Sequence, residues 1–249
     1  MNVNAFIAAF VVSSSVLLAL ASTGAGASSL VTATQATTAP ATAAPATIAS
    51  GAAAGSAAAT EWNFRVYLDD TPIGRHRFTL QRKGDEAELR SDARFEVKLL
   101  FITAYRYAHQ ADERWRGNCL TGLNASTDDD GRRSVVQAQP TDLPAPRLNV
   151  SGPKERLSLV GCVMSYAYWN PDILRQGRLL NAQTGEYEAV QVADLGEQTV
   201  TVRGVVVPAR RYRIAGPKNP IDLWYSPARE WLALEAAVDG GRRLKYRIE

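Results

Sequence analysis

The chain has 249 residues, with 28 Lys and Arg against 25 Asp and Glu and a formal net charge of +3. Both signs are interspersed, and the Arg pairs at 132–133, 210–211 and 242–243 stand far apart, which argues against the clustered basic footprint of a nucleic-acid binder. The two cysteines form no CxxC pair, which argues against a thiol-based zinc or redox motif; no metal and no cofactor is expected.

No Asp, Glu, Lys or Arg precedes Glu61. Residues 5–20 form an apolar run with the length of a secretory signal core, short for a membrane span, and Ala25-Gly26-Ala27 supplies a cleavage site. Residues 1–27 are therefore read as a secretory signal peptide, although no basic residue precedes the run; the alternative is an uncleaved N-terminal anchor. Residues 28–60 are almost entirely Ala, Thr, Ser, Gly and Pro. They offer too little apolar burial to offset the entropy of ordering and are read as a disordered linker. Residues 61–249 are left as a single β-rich domain, long enough for one substantial core.

In that domain Trp62, Phe64, Val66 and Leu68 alternate with polar residues, Asp69-Asp70 supplies a turn, and His76, Phe78 and Leu80 continue one face, which predicts an antiparallel hairpin. Residues 87–99 alternate again and predict a long strand with a solvated face. Leu99 to Ala104 is apolar without a period and reads as a helical turn or a bulged strand. Tyr105, Tyr107, His109, Glu113, Trp115 and Cys119 then share one parity. Asp130-Gly131 is a hairpin signal, with a return strand from Arg133 to Gln139. A short strand follows at Arg147 to Val150. Beyond residue 186, strands are expected at Tyr187–Val192, Thr199–Val207, Arg211–Ala215, Ile221–Tyr225, Trp231–Val238 and Arg243–Ile248, with a turn at Leu195-Gly196. About eleven or twelve strands are expected in all, favouring a curved antiparallel sheet, a half-barrel or a barrel, all-β or predominantly β, with one or two short helices.

The alternation breaks between Cys162 and Glu186. Cys162 and Tyr166, and Met164 and Tyr168, stand four apart, which suits a helical turn packed on the sheet; Asn170-Pro171 starts a turn or a second helix. Met164, Tyr166, Tyr168 and Trp169 are candidate cavity-lining residues, with packed core as the plainer alternative. His76, His109, Asn170 and Asn181 are candidate polar contacts. Either histidine becomes a general base if a nucleophile or carboxylate meets it in space, but no elbow motif such as GxSxG accompanies them. Asp222 is placed to pair with Arg211 or Arg213. Cys119 and Cys162 either form one disulfide, as an exported protein allows, or remain two free buried cysteines.

EWNFRVYLDDTPIGRHRF, YAYWNPDILRQGRLLNAQTGE, RYRI, IDLWYSPAREWLALE and GRRLKYRI together resemble the DUF6134 family of exported bacterial proteins of unknown function and, more distantly, DUF3108. The resemblance runs from Glu61 to Glu249 and implies a periplasmic β-rich domain with no catalytic residues to carry over. By analogy with LolA/LolB-like carriers, a curved sheet would wrap a helical lid around an apolar cavity; a closed lipocalin-like barrel is the alternative. The expected function is non-catalytic binding or carriage of a lipid or hydrophobic small molecule, with peripheral association with the envelope. An enzyme acting on a lipid-like substrate, or an assembly factor, are the alternatives. No residue pattern sets an oligomeric state.

Overall fold

A computed structural model describes residues 59–99, 101–141 and 146–249. The signal segment at 1–27 and all of the expected linker but its last two residues lie outside the described residues, and Thr60 already opens the first strand. The N-terminal meander comprises β1 (Thr60–Leu68), β2 (Thr71–Lys83), β3 (Glu86–Leu99), β4 (Ile102–Arg116), β5 (Cys119–Asp129), β6 (Arg132–Thr141), β7 (Arg147–Ser151) and β8 (Arg156–Val160). After a crossing segment with a small hairpin, β9 (Arg178–Leu180) and β10 (Tyr187–Ala189), the chain resumes as β11 (Gln191–Val202), β12 (Val205–Ala215), β13 (Ile221–Tyr225), β14 (Trp231–Ala237) and β15 (Arg243–Ile248).

Thirteen strands form one antiparallel sheet in the order β11-β12-β13-β14-β15-β1-β2-β3-β4-β5-β6-β7-β8. The last strand lies beside the first, with Leu68 opposite Leu244 and Phe64 opposite Ile248. The period-two pattern sets the burial. Phe64, Val66 and Leu68 are buried from β1, Tyr105, Tyr107 and Trp115 from β4, and Leu223, Leu234 and Leu244 from the C-terminal strands, all in one continuous core. Tight turns carry the geometry that their sequence demands. Asp130 and Gly131 both adopt positive φ, 52° and 87°, as a two-residue hairpin loop requires.

Gly74 serves a different need. A Cβ there would lie 1.9 Å from the Arg94 carbonyl oxygen, so only glycine lets β3 approach at that point.

The structure corrects the expected fold class in two ways. First, the sheet is open. Its edge strands β8 and β11 share no ladder, so the sheet does not close into a barrel, a half-barrel or a lipocalin-like barrel. The physical reason lies at both edges. β8 is five residues long and mostly exposed, and the β11–β12 hairpin leaves Val205 and Val206 exposed at its tip and packs its other valines elsewhere. Val200, Val202 and Val207 pack with Ala209, Trp224, Leu232 and Ala233 in a separate small cluster.

Second, no α-helix occurs among the described residues, and the lid of a LolA/LolB-like carrier is absent. Residues 163–166 pair with β9 instead. Ser165 bridges Leu180, and the Leu180 amide donates to the Met164 carbonyl at 2.8 Å. These extended contacts use the backbone groups that a helix would need, so the four-residue spacing of Met164 and Tyr168 has no helical consequence. Among the described residues the helical turns are of the 3₁₀ type, Pro171–Arg175 and Asp239–Gly241.

Two boundaries also move. Leu195-Gly196 is a bulge inside β11, not a turn, and the turn falls at Arg203-Gly204, inside the stretch expected to be one strand. β8 has no counterpart in the expected elements.

Candidate functional site

The segment between Cys162 and Glu186 packs onto the inner face of the sheet. A disulfide joins Cys162 to Cys119 at the start of β5, across a separation of 43 residues. One residue on, the Leu120 amide donates to the Val163 carbonyl at 2.8 Å. Met164 and Trp169 are buried in the core, and the Trp169 ring meets Trp115 edge to face at 5.5 Å. The half-buried Tyr168 ring lies 5.4 Å from Trp231, while the Tyr225 hydroxyl donates to the Tyr168 carbonyl at 2.8 Å.

Beneath this segment sits a buried carboxyl. Glu113 is 5 % exposed and accepts from the Ser165 hydroxyl at 2.9 Å and the Trp115 indole N–H at 3.0 Å. Burial pushes its pKa up to about 7, against the lowering effect of those two donors.

The polar candidates in this segment are engaged in turns. Asn170 caps the 3₁₀ turn, its Oδ1 accepting from the Asp172 amide at 3.1 Å while its Nδ2 donates to Asn118 Oδ1 at 3.0 Å. Asn181 Oδ1 accepts from the Gln183 amide at 2.9 Å, and its Nδ2 donates to Glu188 at 3.0 Å. Tyr166 donates to the same Glu188 carboxylate at 2.6 Å. This network holds the β9–β10 hairpin against the sheet.

The two histidines lie together on the inner face, in the cross-strand row His76, Ala93, His109 of β2, β3 and β4. Each meets a hydroxyl. His76 Nε2 is 2.7 Å from Ser91 Oγ, with its Nδ1 3.3 Å from the Tyr246 hydroxyl; His109 Nδ1 is 2.9 Å from Thr127 Oγ1. Burial pushes the His76 pKa well below the usual imidazole range, and the neighbouring His109 adds to that. Burial likewise lowers His109, to about 4. Both rings are therefore neutral at neutral pH, each with one N–H that donates and one nitrogen that accepts a hydrogen bond.

Three sizeable grooves on the described surface are of about 1040, 870 and 650 Å³, the smallest along β6, β7 and β8. The groove of about 1040 Å³ lies where the β1–β2 turn and the β3–β4 hairpin meet. Its buried floor includes Leu68, Ile73 and Tyr105, with Val97 and Ala104 beside them, and its rim carries Arg65, Arg75, Lys98, Arg242 and Glu96. The Tyr105 hydroxyl donates to the buried Asp129 carboxylate, which fixes the ring in the floor. The groove of about 870 Å³ runs between the 3₁₀ turn and β11–β13, along Pro171, Leu174, Tyr212 and Tyr225.

Met164, Tyr166, Tyr168 and Trp169 line none of these grooves; Tyr166 borders only a pit of about 30 Å³ beside Asn181. The floor residues Ile73, Val97, Ala104 and Tyr105 were not singled out by sequence reasoning. Their one signal was the run from Leu99 to Ala104, apolar and without strand period. Among the described residues, no cluster of three His, Cys, Asp or Glu could hold a metal ion, and no helix is long and apolar enough to cross a membrane.

The model of the domain of unknown function DUF6134 matches residues 64–249, three-quarters of the chain, from within β1 to the end of β15. The chain belongs to the DUF6134 family. Among solved structures, this DUF6134 protein is similar to a beta-barrel-like protein of the domain of unknown function DUF1849 from Brucella abortus. The TM-score is 0.56 at 11% identity, over 76% of this chain and 94% of that one. At that identity the likeness is one of fold alone. No curated protein matches. The DUF6134 domain thus presents a packed inner face, a buried Glu113, two neutral histidines and an apolar groove with a cationic rim.

Proposed function

We propose that this DUF6134 protein is an exported, non-catalytic binder of an amphiphile in the cell envelope, taking an apolar tail into the groove between the β1–β2 turn and the β3–β4 hairpin. The observation that carries this is the groove itself: about 1040 Å³ with an apolar floor and a rim of Arg65, Arg75, Lys98 and Arg242. A volume of that size accommodates a drug-sized or acyl-chain ligand, and a few polar groups at the mouth suffice to orient it. The reading moves the ligand away from Met164, Tyr168 and Trp169, whose side chains pack as core. Export is supported by the apolar run at residues 5–20 and by the Cys119–Cys162 disulfide, which persists in an oxidising compartment.

Titration with a fluorescent fatty acid tests the proposal. Saturable binding is expected in the wild type, and Ala104→Trp, which fills the floor, should abolish it. Equal binding by that variant, or none by the wild type, would reject the groove as the site.

A second reading, a hydrolase acting on a lipid-like substrate, is favoured by one observation: His76 Nε2 stands 2.7 Å from Ser91 Oγ, two residues along β2 from groove-lining Gly74. That spacing suits a base and a nucleophile. Turnover of a p-nitrophenyl acyl ester that disappears in Ser91→Ala, with fatty-acid binding retained, would favour it over simple binding; no turnover by the wild type would dismiss it.

A further inference from the structure

The β3–β4 hairpin that walls the groove ends in the two most exposed large apolar side chains described: Phe101, 99 % exposed, and Ile102, 73 % exposed. Single exposed apolar residues are ordinary, but here two neighbours stand at a hairpin tip, next to an apolar groove. The same hairpin contributes Glu96, Val97, Lys98, Ala104 and Tyr105 to that groove. Cations frame the tip. Lys98 and Arg106 stand exposed on its two strands, and Arg75 is exposed on the adjoining β2. Four cations line the groove against one carboxylate, Glu96, which pairs with both Lys98 and Arg106, while Glu249 and Asp69 partner Arg65, Arg75 and Arg242 from nearby. An exposed phenylalanine and isoleucine at a tip whose strands carry exposed Arg and Lys are suited to the boundary between acyl chains and anionic headgroups, where the apolar pair is buried and the cations meet phosphate.

From this geometry we infer that the Phe101–Ile102 tip docks the protein on an anionic bilayer surface. Docked in that way, the protein presents the mouth of its groove to the lipid from which the groove would be loaded. The docking itself stands on the tip and its cations; only its purpose rests on the proposed binding function.

Co-sedimentation with vesicles of phosphatidylglycerol and phosphatidylethanolamine, and with vesicles of phosphatidylcholine alone, tests the inference. The wild type should sediment with the anionic vesicles, less so with the neutral ones and less so in high salt. The double variant Phe101→Ser with Ile102→Ser should lower the partition coefficient about tenfold or more, because both apolar contributions are lost. Both positions are exposed, so its thermal midpoint should match that of the wild type. Fluorescent fatty-acid binding in the absence of vesicles separates this inference from the groove. A tip variant that leaves the vesicles but still binds the fatty acid supports docking. A tip variant that sediments like the wild type, or a wild type that sediments with neither vesicle, overturns docking while the fatty-acid result decides the groove independently.

Discussion

Glu113 makes stability depend on pH in a direction opposite to that of most carboxylates. Its pKa rises from an ordinary 4.5 to about 7 in the folded chain because the side chain is buried beneath the Cys162–Glu186 segment. A group that binds its proton more tightly in the folded state stabilises the fold while it is protonated. The contribution is complete below the unfolded value, declines as pH rises from 4.5 towards 7, and is gone above the folded value. At about 1.4 kcal/mol per unit, that rise corresponds to roughly 3 kcal/mol lost between pH 4.5 and pH 8. Glu113→Gln keeps the shape and removes the titration. The amide oxygen still accepts from one donor, and the Ser165 hydroxyl can turn to accept from the new NH₂ group. Urea unfolding of both proteins at pH 4.5, 6 and 8 measures the difference. The variant should equal the wild type or fall slightly below it at pH 4.5, and exceed it by roughly 2–3 kcal/mol at pH 8. A stability difference of the same size and sign at all three values would refute the assignment of a buried, proton-holding Glu113.

Two other perturbations have expected sizes. The Cys119–Cys162 disulfide closes a separation of 43 residues, so Cys119→Ser with Cys162→Ser should destabilise the domain by about 4 kcal/mol on the chain-entropy model, measured by denaturant unfolding. The same loss should follow from adding a reductant to the wild type and not to the variant. Gly74→Ala puts a Cβ 1.9 Å from the Arg94 carbonyl, so β2 and β3 must separate locally. A loss of about 1–3 kcal/mol is expected, with amide hydrogen exchange accelerated first at Gly74 and Phe95, which lie opposite each other.

The sequence exposed what local periodicity controls. Trp62 to Leu68 alternates because every second side chain meets the core, and the structure buries that parity. Asp130-Gly131 was legible because two positive φ angles need residues that tolerate them. Asp222 does pair with arginine, and with both candidates, Arg211 and Arg213. Burial works to raise its pKa, and the two guanidinium groups outweigh that effect and hold it below the usual carboxylate range.

Hidden features were those whose cause is distant or uncharacteristic. Arg203 takes positive φ in a turn flanked by valines, so no turn residue marked the first position and a hairpin read as one strand. β8 is an exposed edge that shows little burial pattern of its own. The Met164–Tyr168 spacing fits a helix, but β9, fourteen residues further on, supplies competing extended partners. The open sheet was illegible for a related reason. Whether edges pair depends on where the β11–β12 hairpin packs, and its Val200, Val202 and Val207 meet Trp224 and Leu232, which lie further along the chain. The groove assembles from the ends of β1, β2, β3 and β4 and from Arg242, a set that no single stretch of chain reveals.

The most direct test of the binding account is native mass spectrometry of the protein purified from its own cells without added lipid. The account predicts a bound amphiphile of one defined mass, or a narrow family of acyl-chain masses, present in the wild type and missing from Ala104→Trp. Wild-type protein that is consistently empty, or an adduct that survives unchanged in the groove-filling variant, would contradict it.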